Sequence, residues 1–177
     1  MPRPFEVSTP TPASVAQVHA AFGSEKYWHD RLTEYGAGSI TLDVLEVDAD
    51  GTVMVRTVQN MRNDSLPGFI AKAIPSDLRV FRQETWRVAG PELQADVAMH
   101  TTGAPISGTG AAGLAPAGDG SLLRFTGTIH VRIPLIGGRI EKYISSQIVE
   151  EIPGVQRFTT RWIAENGNPE QGISGNA

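Results

Sequence analysis

The sequence contains no cysteine, which excludes disulfides, thiolate metal ligands and a cysteine nucleophile together. It has no apolar run near the ~20 residues that a membrane-spanning helix needs. Met1 to Phe5 lead into polar, proline-rich sequence instead of the apolar stretch of a signal peptide, so neither export nor a membrane span is expected, and cytoplasmic residence follows. Cations are outnumbered: 15 Lys and Arg face 19 Asp and Glu, for a net charge of -4, and no basic cluster interleaves with aromatics. Phosphate backbones find no general attraction here, and nucleic acid is not an expected partner.

The common catalytic signatures are missing too, since GxSxG, HExxH and GxxxxGKS/T do not occur. One GxGxxG is present, at Gly108, Gly110 and Gly113, but Pro105 breaks the segment before it and Pro116 follows. Dinucleotide binding needs a strand before and a helix after, so close backbone packing or a strand bend is the reading kept. The four histidines, His19, His29, His100 and His130, fall on separate segments without an i, i+4 pair. No metal and no cofactor is expected. His100 and His130 share the polar parity of their segments, whereas His19 lies in an apolar stripe and reads as a hydrogen-bonded core residue.

What is present is a chain of 177 residues, enough for one domain that buries roughly 70% of its unfolded surface. The expected domain covers residues 1–165, with a polar Gly/Asn tail at 166–177. Residues 4–9 read as a strand. Thr11 is a candidate N-cap for a helix from Pro12 to Gly23, striped by Val15, Val18, His19 and Phe22. A second helix from Ser24 to Gly36 carries Trp28, Leu32 and Tyr35. The period then changes, and Asp50-Gly51 marks a hairpin between two Val-rich strands. Leu66 to Ile74, bracketed by Pro67 and Pro75, gathers Phe69, Ile70, Ala73 and Ile74 on one helical face. Strands are expected at 78–88, 92–100 and 121–133, the last with Leu123, Phe125, Ile129, Val131 and Ile133 on one face. Residues 103–118, rich in Gly and Ala, fit a small-residue strand or a loop equally. A long helix, about 139–164, closes the chain. Strands in a run before a terminal helix indicate an α+β architecture.

This order resembles the START-like superfamily, which includes polyketide cyclases and plant ligand-binding proteins. Ala13 to Tyr35, with SVAQVHAAFGSEKYWHDRL, looks like its opening helix pair. Leu122 to Ile133 followed by IGGRIEKYISSQIVEEIPGVQRF looks like its final strand and gripping helix. The chain to about Trp162 is similar to an uncharacterised actinobacterial family within that superfamily. The resemblance implies a helix-grip fold, a curved antiparallel sheet wrapped around a long C-terminal helix with a pocket between them. It implies no reaction, because such domains serve as lipid carriers, hormone receptors, cyclases and ring-hydroxylase domains. The Cys/His iron-sulfur motif of the hydroxylase group is absent.

Within the last helix, Glu151 falls on the arc of Ile140, Ile144, Val155, Phe158 and Trp162, beside Gln147. A carboxylate on a covered face must be paired, neutralised or directed at a wet cavity. Three readings stay open: an ion pair with an arginine, a polar pocket anchor, or a general acid or base in a cyclase- or dehydratase-like enzyme. In the anchor reading Gln147 and Glu151 orient a ligand, and Met99, Phe125, Ile129, Tyr143 and Phe158 supply apolar walls. The Leu66 to Ile74 segment, with Phe69, acts as a lid or as core cover. Pro153 predicts a kink, and Gly127 marks a bulge or leaves room for ligand. The expected function is non-catalytic binding of a hydrophobic or amphipathic small molecule by a monomer or homodimer. A collapsed pocket serving as a protein-interaction module is a further alternative.

Overall fold

The computed structural model describes residues 3–36 and 38–167. Strand β1 (Arg3–Thr11) leads into α1 (Val15–Phe22) and α2 (Glu25–Gly36), followed by the hairpin β2 (Ile40–Val47) and β3 (Val53–Met61). A 3-10 turn (Asn63–Ser65) and the short α3 (Gly68–Ala73) precede four long strands, β4 (Leu78–Ala89), β5 (Glu92–Thr102), β6 (Ile106–Ala117) and β7 (Gly120–Val131). Helix α4 (Gly137–Asn166) ends the described chain, so the expected tail begins inside its last turn, and residues 168–177 lie outside the described residues. The seven strands form one antiparallel sheet in the order β1-β7-β6-β5-β4-β3-β2, so that the first strand closes against the last. The sheet is curved and α4 packs along β1 and β7, which is the helix-grip α+β arrangement.

Local chemistry explains the boundaries. Thr11 does not cap α1; Ser14 does, because Ser14 and Gln17 form a reciprocal capping box with 3.1 and 2.9 Å bonds. Thr11 instead stays in β1, where its hydroxyl accepts from the Ala13 N–H and meets Thr160 of α4 at 2.6 Å. Gly51, at φ 86°, makes the hairpin turn, and its carbonyl accepts a 2.6 Å bond from His19 Nε2. His19 is hydrogen-bonded as its apolar stripe predicts, but it is half-buried and outside the two core clusters. His100 is exposed on the outer sheet face, stacked on Phe81.

The undecided Gly/Ala segment is β6, paired with β5 and β7 on either side. Its inward glycines leave room for large neighbours. A Cβ at Gly108 would lie 3.0 Å from Ile129 Cδ1, and one at Gly110 would lie 3.3 Å from the Phe125 ring. Gly127 is a correction to the sequence reading. The β1–β7 register is unbroken there, and the space above Gly127 holds the Phe5 ring, where a Cβ would sit 2.6 Å from Cζ. Among the described residues, a register shift falls at Leu42/Val44 between β2 and β3.

Helix α4 continues through Pro153, which has no N–H to give the Val149 carbonyl. The core divides into two packed clusters. One joins Phe22, Tyr27, Trp28, Trp86 and Phe158, with Phe22 and Trp86 centroids 4.9 Å apart. The other joins Ile70, Leu78, Ile106, Ile129, Val131 and Ile140.

Candidate functional site

Between the two clusters the sheet and α4 do not meet, and a cavity of about 510 Å³ remains. Phe22, Trp28 and Trp86 bound it at one end, and Ile70, Leu78, Ile106 and Ile140 at the other. Period-two geometry sends Val55, Thr57, Gln59 and Met61 of β3 and Leu78, Val80, Arg82, Glu84 and Trp86 of β4 to the same wall. From α4 come residues one helical turn apart, among them Ile144, Gln147, Ile148 and Glu151. Leu66 and Pro67 reach the cavity from the segment before α3.

Of the residues expected at a pocket, Met99, Phe125, Tyr143, Gln147 and Glu151 line this cavity. The remaining three are elsewhere. Ile129, 3% exposed, fills the space over Gly108 in the packed core. Phe158, 5% exposed, is held among the rings of Tyr27 and Tyr35, each 6.0 Å away. Phe69 packs edge-on against Tyr143, with the Arg139 guanidinium 4.0 Å from its centroid, so α3 is partly core cover. Glu151 is also corrected: its side chain is at the cavity but exposed, so no burial penalty has to be offset there. Among the described residues it forms no ion pair.

Among the described residues the buried carboxylates are Glu84 and Glu141. Glu84, 5% exposed, accepts from Arg82 Nη2 at 2.9 Å and from Trp86 Nε1 at 2.9 Å. Burial pushes its pKa up, but Arg82, Arg31 and the Trp86 indole more than offset this and hold it below the ordinary value. Arg31 rests on Trp28, 4.8 Å from the ring centroid, with Nη1 at 3.5 Å from the Tyr27 hydroxyl. Burial disfavours its charge, while Tyr27, Glu84 and Glu151 restore it and raise its pKa. Glu141 lies outside the cavity, where one oxygen accepts from the Val131 N–H at 2.9 Å. The sequence reading missed Arg31, Arg82 and Glu84. A signal for the last two existed, because they share the parity of Leu78, Val80 and Trp86 in an otherwise alternating strand. Among the described residues, no group of three or more His, Asp or Glu side chains gathers as a metal set, and no helix is long and apolar enough to cross a membrane.

A curved antiparallel sheet gripping a long terminal helix around an internal cavity is the START-like fold. Solved structures agree: a START superfamily protein from Mycobacterium smegmatis superposes with a TM-score of 0.58 at 10% identity, covering 90% of this chain and 98% of that one. Norcoclaurine synthase from Thalictrum flavum, solved in complex with dopamine and hydroxybenzaldehyde, gives 0.51 at 14% identity, covering 95% and 90%. The chain belongs to the family described as "Protein of unknown function (DUF2505)", which matches residues 6–163. Proteins of Mycobacterium tuberculosis and Mycobacterium bovis, each described as uncharacterized, are 39% identical over 176 residues, covering 94% of this chain and 99% of theirs.

Proposed function

We propose that this chain binds and carries an amphipathic small molecule, lipid-like or aromatic, without changing it covalently. The supporting observation is the cavity of about 510 Å³ between sheet and α4. Ligand sites commonly enclose roughly 300–1,000 Å³ behind apolar walls with few polar groups. Met99, Phe125, Tyr143 and Ile144 form apolar wall, while Gln147 and Glu151 stand near the solvent side as anchors for a polar group. That a neighbour of the same fold holds two small aromatic molecules supports the aromatic end of this range. In this reading one domain works in the cytoplasm as a monomer or homodimer, with no nucleic-acid partner.

Native mass spectrometry of protein purified from its own host tests the proposal directly. A retained mass that releases as a small organic molecule is the expected result. In a second test, the neutral dye N-phenyl-1-naphthylamine brightens on entering wild-type protein, and Thr57→Trp, which fills the cavity from β3, abolishes the signal while leaving the fold intact by circular dichroism. Bare polypeptide from repeated preparations, together with no dye uptake, refutes binding.

A further inference from the structure

Polar atoms left without partners in the cavity describe what its occupant carries. Arg82 gives Nη2 to Glu84, yet its Nε–H is buried without an acceptor. Gln156, 4% exposed, holds a buried Nε2 in the same condition. Arg31 lies on Trp28 with a single long contact to the Tyr27 hydroxyl, and among the described residues no carboxylate comes within ion-pair distance of it. All three residues line the same cavity, and each open group is a hydrogen-bond donor.

The charges point the same way. Two guanidinium groups face one buried carboxylate, Glu84, whose oxygens are already engaged by Arg82 and Trp86. The other carboxylate on the wall, Glu151, is exposed, and water screens it. Arg31 is therefore left with only distant, screened compensation from Glu84 and Glu151, and the half-buried guanidinium pair lacks a contacting anion of its own beyond Glu84. The buried Arg82 Nε–H and Gln156 Nε2 are costly to leave unsatisfied, and a ligand that supplies the missing acceptor removes that cost on binding.

We propose that the cavity selects amphiphiles ending in a carboxylate, which Arg31 and Arg82 hold, while the apolar body runs toward Met99 and Tyr143. A planar guanidinium fork matches a carboxylate in two parallel bonds, and a monoanion supplies the contacting acceptor that Arg31 lacks. The proposal rests on the cavity being a binding site, as argued above.

Displacement of N-phenyl-1-naphthylamine by decanoate, methyl decanoate and 1-decanol tests it, because the three share one chain and differ in the head group. Decanoate displaces the dye at concentrations about tenfold or more below the ester and the alcohol. That preference disappears in Arg31→Gln and in the double variant Arg82→Gln/Glu84→Gln, which removes the ion pair as a unit, the three compounds being compared within each variant and its fold checked by circular dichroism. Equal displacement by all three compounds in the wild type overturns the carboxylate assignment and leaves amphiphile binding standing. Unchanged decanoate preference in both variants also overturns it. Absence of dye uptake by the wild type defeats the binding function itself, and the assignment with it.

Discussion

The hydroxyls of Tyr27 and Thr159 lie 2.6 Å apart, although 132 residues separate them in sequence. Thr159 donates its own proton to the Val155 carbonyl at 3.0 Å, so Tyr27 is the donor in the shared bond. Both residues are fully buried, and the contact ties α2 to α4 beside the cavity. Tyr27→Phe removes the bond and keeps the ring, so it lowers stability by about 1 kcal/mol. Thermal unfolding should show a Tm lower by about 2–4 °C in a chain of this size.

Gly127 and Phe5 form a second testable pair. Gly127→Ala drives a methyl into the Phe5 ring, which must turn or shift, and this destabilises by about 1–2 kcal/mol. Phe5→Leu removes the far end of the ring, so the double variant recovers part of the loss. Urea unfolding of the two single variants and the double gives the coupling; purely additive losses contradict the contact.

Glu84 sets an acid limit on stability. Its folded pKa is depressed below the ordinary 4.5, so the folded state binds fewer protons than the unfolded one in that region. The stabilisation is complete above the unfolded value and fades as pH falls through the folded one. Urea midpoints measured between about pH 3 and pH 7 should drop more steeply on the acid side for the wild type than for Glu84→Gln. Identical acid limbs count against the paired, charged carboxylate.

Glu151→Gln separates a structural role from a place at the cavity. The side chain is exposed and unpaired among the described residues, so the substitution changes stability by no more than about 0.5 kcal/mol. Differential scanning fluorimetry should place its Tm within about 2 °C of the wild type, while its preference among polar head groups shifts. A large loss of Tm restores the ion-pair reading.

The sequence carried the architecture where period and turn chemistry agreed. Asp50-Gly51 located the β2–β3 hairpin, alternation located β7, and the apolar arc located α4. Strand β6 was not legible, because glycine and alanine give no period; its strand character comes from hydrogen bonding to β5 and β7, and its smallness from the rings it must clear. Thr11 and Ser14 competed as caps for α1, and Gln17, three residues after Ser14, decides between them. At the cavity, the arc of α4 identified Gln147 and Glu151 but could not show how far the sheet stands off. Glu151 is exposed at that cavity, and Phe158 packs against Tyr27 and Tyr35 of α2 instead of lining it. Arg82 and Glu84 share the parity of Leu78, Val80 and Trp86, a legible sign that they face inward that the reading did not use.

The pairing of β1 with β7 has a consequence for biosynthesis. Phe5 finds its neighbour only when Gly127, far later in the chain, has been made, and the seat of α4 is incomplete until then. Closing so long a loop is slow, and the nascent hairpins must wait with their oily faces uncovered. The step that completes the seat of α4 is therefore a late one.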